Sequence, residues 1–196
     1  MDEGVIKFKF SRKNIELDDS TIIRDLIDLR DFAHDKGFVG VYNNGIGFGN
    51  VSLRKKDLKF YITGSQTGHI KHLTKNDIVE VKSVDIDRRE VLFLGLINGS
   101  SESISHFNIY ERSKCSSIAH IHHKRLWNYM LKNNFTKVLG EYGSSELANN
   151  LSKLSEGKEC GIFVMSDHED GIIIFGTIRY IKEQLNSFYQ LIGKIA

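Results

Sequence analysis

Short runs of apolar and polar positions alternate along the first half of the chain in a way that is typical of β-strands. Residues 5–10, VIKFKF, alternate with a period of two, as a half-buried strand does. Further runs follow between Gly, Asn, Asp and Lys turns: IGFGNVSLR, KFYIT, DIVEVKSVDID and EVLFLGL. Their spacing predicts an antiparallel meander of about four strands.

Helical periodicity appears next to these strands. Residues 18–37 open with an Asp/Ser cap, place Ile22, Leu26 and Leu29 at helical spacing, and stop at Gly37. The same reasoning predicts further helices over residues 102–112, 124–133, 144–154 and 178–193, and further strands over residues 116–121, 161–167 and 171–176. We therefore expect an α/β fold that leans towards α+β, with a central, mainly antiparallel β-sheet and helices packed on its faces.

Composition narrows the class of protein. A chain of 196 residues suffices for one domain with a sizeable core, so we expect a single domain over residues 1–196. A net charge of +2 lacks the basic excess typical of nucleic-acid binding, and no apolar run is long enough for a membrane span. We expect a cytoplasmic protein, with Cys115 and Cys160 as reduced thiols.

A histidine-rich strand is the first candidate for chemistry. In SIAHIHHKRLWNYM, residues 117–130, His120 and His122 are two apart and point to the same face of the strand, whereas His123 points the other way. Two such imidazoles, about 7 Å apart along the strand, can share one metal ion. His168, at the tip of a predicted hairpin, is a candidate third ligand. Spacing alone equally allows ordinary core histidines and a solvated turn histidine.

A second candidate is the start of a predicted helix in GSSESISHFNIY, residues 99–110. Ser100 and Ser101 can donate hydrogen bonds to a phosphate at the positive end of the helix dipole, and Glu102 can accept a proton beside a metal. The same residues also suit a simple Ser-capped helix with an acidic first turn.

Two glycine-containing turns add possible donors. Asn50 lies in GFGNVSLR, and Thr63 and Gly64 lie in YITGSQTG. Glycine lets backbone amides approach an anion closely, although hairpin turns need such residues for their own geometry.

Taken in order, the segments GNVS, ITGSQTG, SSESISH, AHIHH and DHEDG resemble the class II aldolase/adducin head domain family, of the fuculose- and ribulose-phosphate aldolase kind, over nearly the whole chain. Glu102 and His106 keep the Glu-to-His spacing of that family. The resemblance implies a class II aldolase-like fold, a cyclic homotetramer with active sites at subunit interfaces, and Zn²⁺ or another divalent cation such as Mn²⁺ or Co²⁺.

The resemblance also assigns roles to particular residues. It implies that the metal ligands are His120, His122 and His168, that Glu102 is the acid/base, and that the phosphate is held by Asn50, Thr63, Gly64, Ser100 and Ser101. This set suits a divalent-metal-dependent, aldolase-type lyase that acts on a small phosphorylated hydroxy-ketone, a sugar phosphate, through a metal-stabilised enediolate. A dehydratase or epimerase would share that intermediate. A non-catalytic, adducin-like binding or assembly module is the alternative from another class.

Two segments depart from the family pattern. TGSQTG is longer before its last glycine than the usual Thr-Pro-Ser-Gly turn. The sequence therefore leaves open whether this turn holds a phosphate, a carboxylate or no anion. Around His168 the sequence is SDHEDG, and Asp167, Glu169 and Asp170 bring negative charge to that turn. Such charge favours a cation and opposes an anionic substrate on that side of the site.

Overall fold

The computed structural model describes residues 5–195 of the chain. The helices of this part are α1 (Thr21–Asp35), α2 (Ser103–Arg112), α3 (Lys124–Lys132), α4 (Ser145–Ser155) and α5 (Ile178–Ile192), with a short 3₁₀ helix at Lys75–Asp77. The strands are β1 (Lys9–Lys13), β2 (Gly40–Val41), β3 (Gly47–Phe48), β4 (Asn50–Lys56), β5 (Lys59–Thr63), β6 (Ile78–Asp85), β7 (Glu90–Leu94), β8 (Ser117–His122), β9 (Thr136–Val138), β10 (Gly161–Met165) and β11 (Gly171–Gly176).

One nine-stranded sheet organises the molecule, with the strand order β1-β7-β6-β5-β4-β8-β11-β10-β9. All of its pairings are antiparallel except at the two edges, where β1 runs parallel to β7 and β9 runs parallel to β10. The predicted fold class, with a mainly antiparallel sheet, is confirmed. Strands β2 and β3 form a separate small ladder.

The first strand differs from its prediction. Sequence alternation predicted it at residues 5–10, but β1 runs from Lys9 to Lys13 and all five of its residues are exposed. The position of β1 follows from its pairing with β7. This pairing begins at Lys9, whose amide donates to the Arg89 carbonyl at 2.9 Å. An edge strand rich in lysine is a common protection against pairing with other chains.

Helices cover both faces of the sheet. The face packed against α2 and α4 carries one apolar cluster, which includes Phe60, Phe93 and Phe163. The opposite face, covered by α1, α3 and α5, carries a second cluster that includes Val51 and Ile172. Consecutive side chains along a central strand therefore point alternately into the two apolar clusters, as a sheet buried on both sides requires.

Hydroxyl caps set the starts of three helices. The hydroxyl oxygens of Ser20, Ser144 and Thr177 accept hydrogen bonds from the backbone amides three residues later, at 3.3, 3.1 and 3.1 Å respectively. The predicted cap at Ser144 is confirmed. No helix within residues 5–195 is both long enough and apolar enough to cross a bilayer.

Candidate metal centre and anion pocket

The central strand β8 carries two of the three histidines. Asn50 of β4 is the register partner of His120, so both side chains lie on the face of the sheet that α2 covers. The Nε2 atoms of His120 and His122 are 2.6 Å apart. Both residues are buried.

His168 joins this pair from the turn between β10 and β11. Its Nε2 atom lies 3.2 Å from the Nε2 of His122, and the candidate ligand atoms of all three histidines lie within 4.8 Å of one another. Zn–N distances of about 2.0–2.1 Å in tetrahedral geometry place two ligating nitrogens ~3.4 Å apart. The His122–His168 distance is close to this value, whereas the nitrogens of His120 and His122 are nearer to each other and would have to separate by several tenths of an ångström. With that adjustment the three imidazoles fit one small divalent cation.

A glycine makes room for His168. A Cβ atom added at Gly171 would lie 2.8 Å from Cδ2 of the His168 ring, closer than such atoms approach in proteins. The Gly171 amide also donates to the His168 carbonyl at 3.0 Å, and Asp170 adopts a positive φ of 67°. The imidazole is thus folded back over its own turn.

The acidic residues around His168 have separate surroundings. Asp167 accepts a hydrogen bond from the Gly140 amide at 2.8 Å, and Glu169 forms an exposed ion pair with Lys124 at 2.8 Å. Asp170 is buried, and burial, with the nearby Glu169 charge as a second cause, raises the pKa of its carboxyl. Two of the three charges are therefore directed to partners other than the histidines.

Aromatic side chains surround the histidines and orient them. The Tyr42 hydroxyl lies 2.8 Å from Nδ1 of His122, which leaves Nε2 of that ring to face the cluster. The Tyr142 ring packs edge-on against His168, with centroids 5.1 Å apart. Sequence reasoning missed the role of Tyr42, whose signal was an aromatic residue in the turn-rich stretch VYNNG.

Burial keeps His120 neutral. Desolvation, followed by the charges of His122 and His168, holds the pKa of His120 well below its usual value. A neutral imidazole is the form that binds a metal, so no proton has to leave His120 first.

Glu102 lies at the N-cap position of α2 and is buried. One turn further along the helix, Nδ1 of His106 lies 2.7 Å from the Ser52 hydroxyl, which also lies 2.8 Å from the Tyr110 hydroxyl. His106 and Tyr110 therefore lie on the side of α2 that faces β4, and Glu102 precedes His106 by one turn. Burial lowers the pKa of His106 to about 3.

A polar pocket opens beside this helix start. It has about 350 Å³ of space, including its open mouth, and is lined by Gly47, Gly49, Asn50, Gly64, Ser65, Gln66, Thr67, Gly68, Ser100 and Ser101. Four of the five residues predicted to hold a phosphate are in this lining. We call this space the anion pocket.

The fifth residue, Thr63, is not part of that lining. It is buried below the pocket, where its hydroxyl oxygen accepts a hydrogen bond from the Val51 amide at 3.3 Å. The Gly64 amide is also engaged, because it donates to the Asp77 carbonyl at 2.8 Å. Gly64 is small for a packing reason, since an added Cβ would meet Ile97 at 2.0 Å. Sequence reasoning named these two residues and missed Ser65, Gln66 and Thr67 of the same turn.

Arg30 holds the wall of the anion pocket from below. It lies on α1 with no exposed surface, and its guanidinium donates to the carbonyls of Thr67 at 2.8 Å and Lys71 at 3.0 Å. Its charge is offset by Asp31 at 3.2 Å. Sequence reasoning missed Arg30, although a charged residue on the buried stripe of an amphipathic helix is a usable signal.

Comparison with known proteins gives a family and several structural neighbours. Residues 41–136 match the family model of the class II aldolase and adducin N-terminal domain. No curated protein matches the chain. A solved L-fuculose 1-phosphate aldolase is 21% identical, with a TM-score of 0.65 over 90% of this chain and 86% of its own.

Two further solved structures are similar in fold. YgbL of Klebsiella pneumoniae, a candidate aldolase, epimerase or decarboxylase, is 16% identical, with a TM-score of 0.66 over 88% of each chain. The L-fuculose-1-phosphate aldolase of Thermus thermophilus is 15% identical, with a TM-score of 0.64 over 86% of this chain and 89% of its own. At these identities the likeness establishes a shared fold.

Proposed function

We propose that this chain, residues 41–136 of which match the class II aldolase and adducin N-terminal domain family, is a divalent-metal-dependent, aldolase-type lyase. Its substrate would be a small phosphorylated hydroxy-ketone. The observation that carries the proposal is the buried cluster of His120, His122 and His168, in which three imidazole nitrogens converge. A structural role alone would not require three buried imidazoles to face one another.

The chemistry of the donor set fits a resident metal ion. His120, His122 and His168 would hold the ion as three neutral nitrogen ligands, which is the ligand pattern of catalytic zinc sites with an open position. When bound, the ion would act as a Lewis acid that polarises a substrate carbonyl. The Tyr42 hydroxyl would keep the His122 ring in the orientation that presents Nε2.

Glu102 is the proposed acid/base. In the cleavage direction, its carboxylate would take the proton from the substrate hydroxyl whose carbon becomes the new carbonyl. The electrons of the broken carbon–carbon bond would pass into the enolate of the other fragment, and Glu102 would return the proton to the enolate carbon. Burial at the start of α2 supports this role, because a carboxyl group that is shielded from water exchanges protons with a bound substrate rather than with solvent.

The anion pocket is the proposed site for the substrate phosphate. Asn50, Ser100 and Ser101 would donate hydrogen bonds from two separate chain segments, and the N-terminus of α2 adds a favourable dipole. The buried Arg30 guanidinium supports the site indirectly, because its hydrogen bonds hold the turn that carries Thr67. Gly64 would contribute space rather than an amide donor, and Thr63 would support the strand below.

Epimerisation and dehydration are alternative reactions that would pass through the same kind of enediolate intermediate, with Glu102 moving a carbon-bound proton. We also propose a homotetramer, as expected for the family, and a monomer mass in light scattering would count against it. If a metal binds without proton exchange on any phosphorylated ketose, the adducin-like binding module becomes the better description.

Elemental analysis of purified, tag-free protein tests the metal site directly. We expect about one Zn²⁺ or other divalent ion per chain in the parent and none in His120→Ala. His72→Ala is the matched control, because His72 is an exposed histidine paired with Asp31 and should leave the metal content unchanged. No metal in the parent after incubation with Zn²⁺, Mn²⁺ or Co²⁺ would refute the lyase proposal.

A further inference from the structure

A second cavity shares Ser101 with the anion pocket and otherwise has different walls. It contains about 600 Å³ of space, including the open solvent at its mouth. It lies between α2, α4, the segment before β1 and the β6–β7 turn, and is lined by Lys7, Phe8, Ile86, Arg89, Ser101, Ile104, Ser105, Asn108, Gly143, Ser144, Ser145, Ala148 and Asn149. Neither the histidine cluster nor Glu102 belongs to this lining.

Part of the cavity wall is apolar. Phe8, Ile86, Ile104 and Ala148 contribute side chains from four separate segments of the chain. An apolar ligand gains free energy on this surface because the contact removes apolar area from water. A charged group without an apolar body gains no free energy of this kind. The wall therefore favours a ligand with a hydrocarbon body.

The polar groups of the cavity favour a negative charge. The Arg89 guanidinium donates to the carbonyls of Gly143 and Lys7, and within residues 5–195 it has no carboxylate partner. The Lys7 ammonium group lies nearby, where it donates to the Tyr142 carbonyl at 3.4 Å. Helix α4 begins at Ser145 and adds the positive end of its dipole.

One buried hydroxyl also lines the cavity. Ser105 is only 8% exposed, and it belongs to the cavity wall, where its hydroxyl can donate a hydrogen bond to a bound ligand. The cavity therefore combines a guanidinium that has no carboxylate partner within residues 5–195, a buried hydroxyl and an apolar surface.

We propose that this cavity binds a small carboxylate with an apolar body, with the carboxylate on Arg89 and the body against Phe8, Ile104 and Ala148. A guanidinium forms charge-assisted hydrogen bonds with a carboxylate, and the nitrogens of Arg89 other than Nη2 can donate them to this head group. The site is separate from the proposed reaction centre and does not depend on the lyase activity.

Amide shifts in ¹H–¹⁵N NMR spectra of the full chain test the proposal with benzoate as the probe. We expect saturable shifts at Ser101, Ser105 and Ala148, with smaller shifts at Gln66 and Gly68 of the anion pocket. Benzamide keeps the ring without the charge, and acetate keeps the charge without the ring. Both should bind at least tenfold more weakly than benzoate, since each lacks one of the two interactions.

Variants separate the cavity from non-specific binding. Arg89→Gln should weaken benzoate binding by about tenfold or more, whereas Arg88→Gln, which removes the same charge from a neighbouring side chain exposed beside Asp85, should leave it unchanged. If Arg89→Gln does not fold, Ala148→Leu fills the cavity with a residue that suits a helix and should abolish binding. No saturable shifts in the parent, equal binding of benzamide, or an unchanged affinity in Ala148→Leu would overturn the proposal.

Discussion

The candidate site combines residues borne on strands with residues borne on turns, and different forces position the two groups. His120, His122 and Asn50 lie on β8 and β4, where the period of two and the Asn50–His120 register put their side chains on one face. His168 and the turn at residues 64–68 depend on contacts made by distant residues, Gly171 and Arg30 among them. Strand geometry can be inferred from spacing, whereas turn geometry requires the tertiary contacts that hold it.

The largest expected effect comes from removing the support of the turn at residues 64–68. Arg30→Met leaves the carbonyls of Thr67 and Lys71 without their donor in a buried environment. We expect a loss of about 2–4 kcal/mol in the free energy of unfolding. Urea denaturation measures it, and titration with inorganic phosphate should show weaker binding in the same variant.

Arg24→Met is the control for this prediction. Arg24 lies on the same helix with a side chain 56% exposed, and it pairs with Asp19 at the surface. Because exposed ion pairs contribute little, its loss should change the stability by less than about 1 kcal/mol. Equal effects of the two substitutions would mean that Arg30 acts through helix propensity and not through the turn.

The next largest expected effect is a pH dependence of stability at the strand-borne residues of the site. His106 of α2 is buried next to them, with its ring against Ser52 of β4. The pKa of His106 is about 3 in the fold, below its usual value of 6.5, because burial disfavours the charged form. Between these values the unfolded chain binds a proton that the folded chain does not. The free energy of unfolding should therefore fall as the pH drops from 6.5 towards 3, by about 1.4 kcal/mol per pH unit from this residue.

Urea denaturation of metal-free protein between pH 7 and pH 5 measures that slope. His106→Gln should make the dependence shallower, whereas His69→Ala, at an exposed turn, should leave the slope as it is in the parent. An unchanged slope in His106→Gln would show that His106 accepts a proton in the folded state.

The sequence predicted the strand-borne half in most respects. Alternation identified β4, β5 and β8, and it placed His120 and His122 on one face. The start of β11 at Gly171 was also predicted. The packing of His168 over that glycine was not predicted, because spacing along the chain carries no information on how a turn folds back. The edge strand β1 was displaced for a similar reason, since its register comes from β7.

The contrast between Thr63 and Thr67 illustrates the same limit at the anion pocket. Both belong to YITGSQTG, yet only Thr67 lines the pocket, because Thr63 ends β5 with its hydroxyl turned to the Val51 amide. A family pattern names the segment that forms such a pocket. Which side chains reach its surface depends on packing against Asp77 and Arg30.

The smallest expected effect tests the turn that carries His168. Gly171→Ala places a methyl group 2.8 Å from the His168 ring, so either the ring or the turn must shift by several tenths of an ångström. Close-packed interiors transmit such shifts to their neighbours, and a ligand moved off its geometry binds more weakly. We expect a roughly threefold to tenfold loss of Zn²⁺ affinity, measured by competition with a chromophoric chelator, in a variant that still folds.

Gly193→Ala adds the same methyl group at the end of α5, where the nearest atom, the Gln190 carbonyl oxygen, is 3.5 Å away. Its Zn²⁺ affinity should match that of the parent, and equal affinity in Gly171→Ala would mean that the turn adapts freely and that the strand-borne pair alone determines the strength of the site.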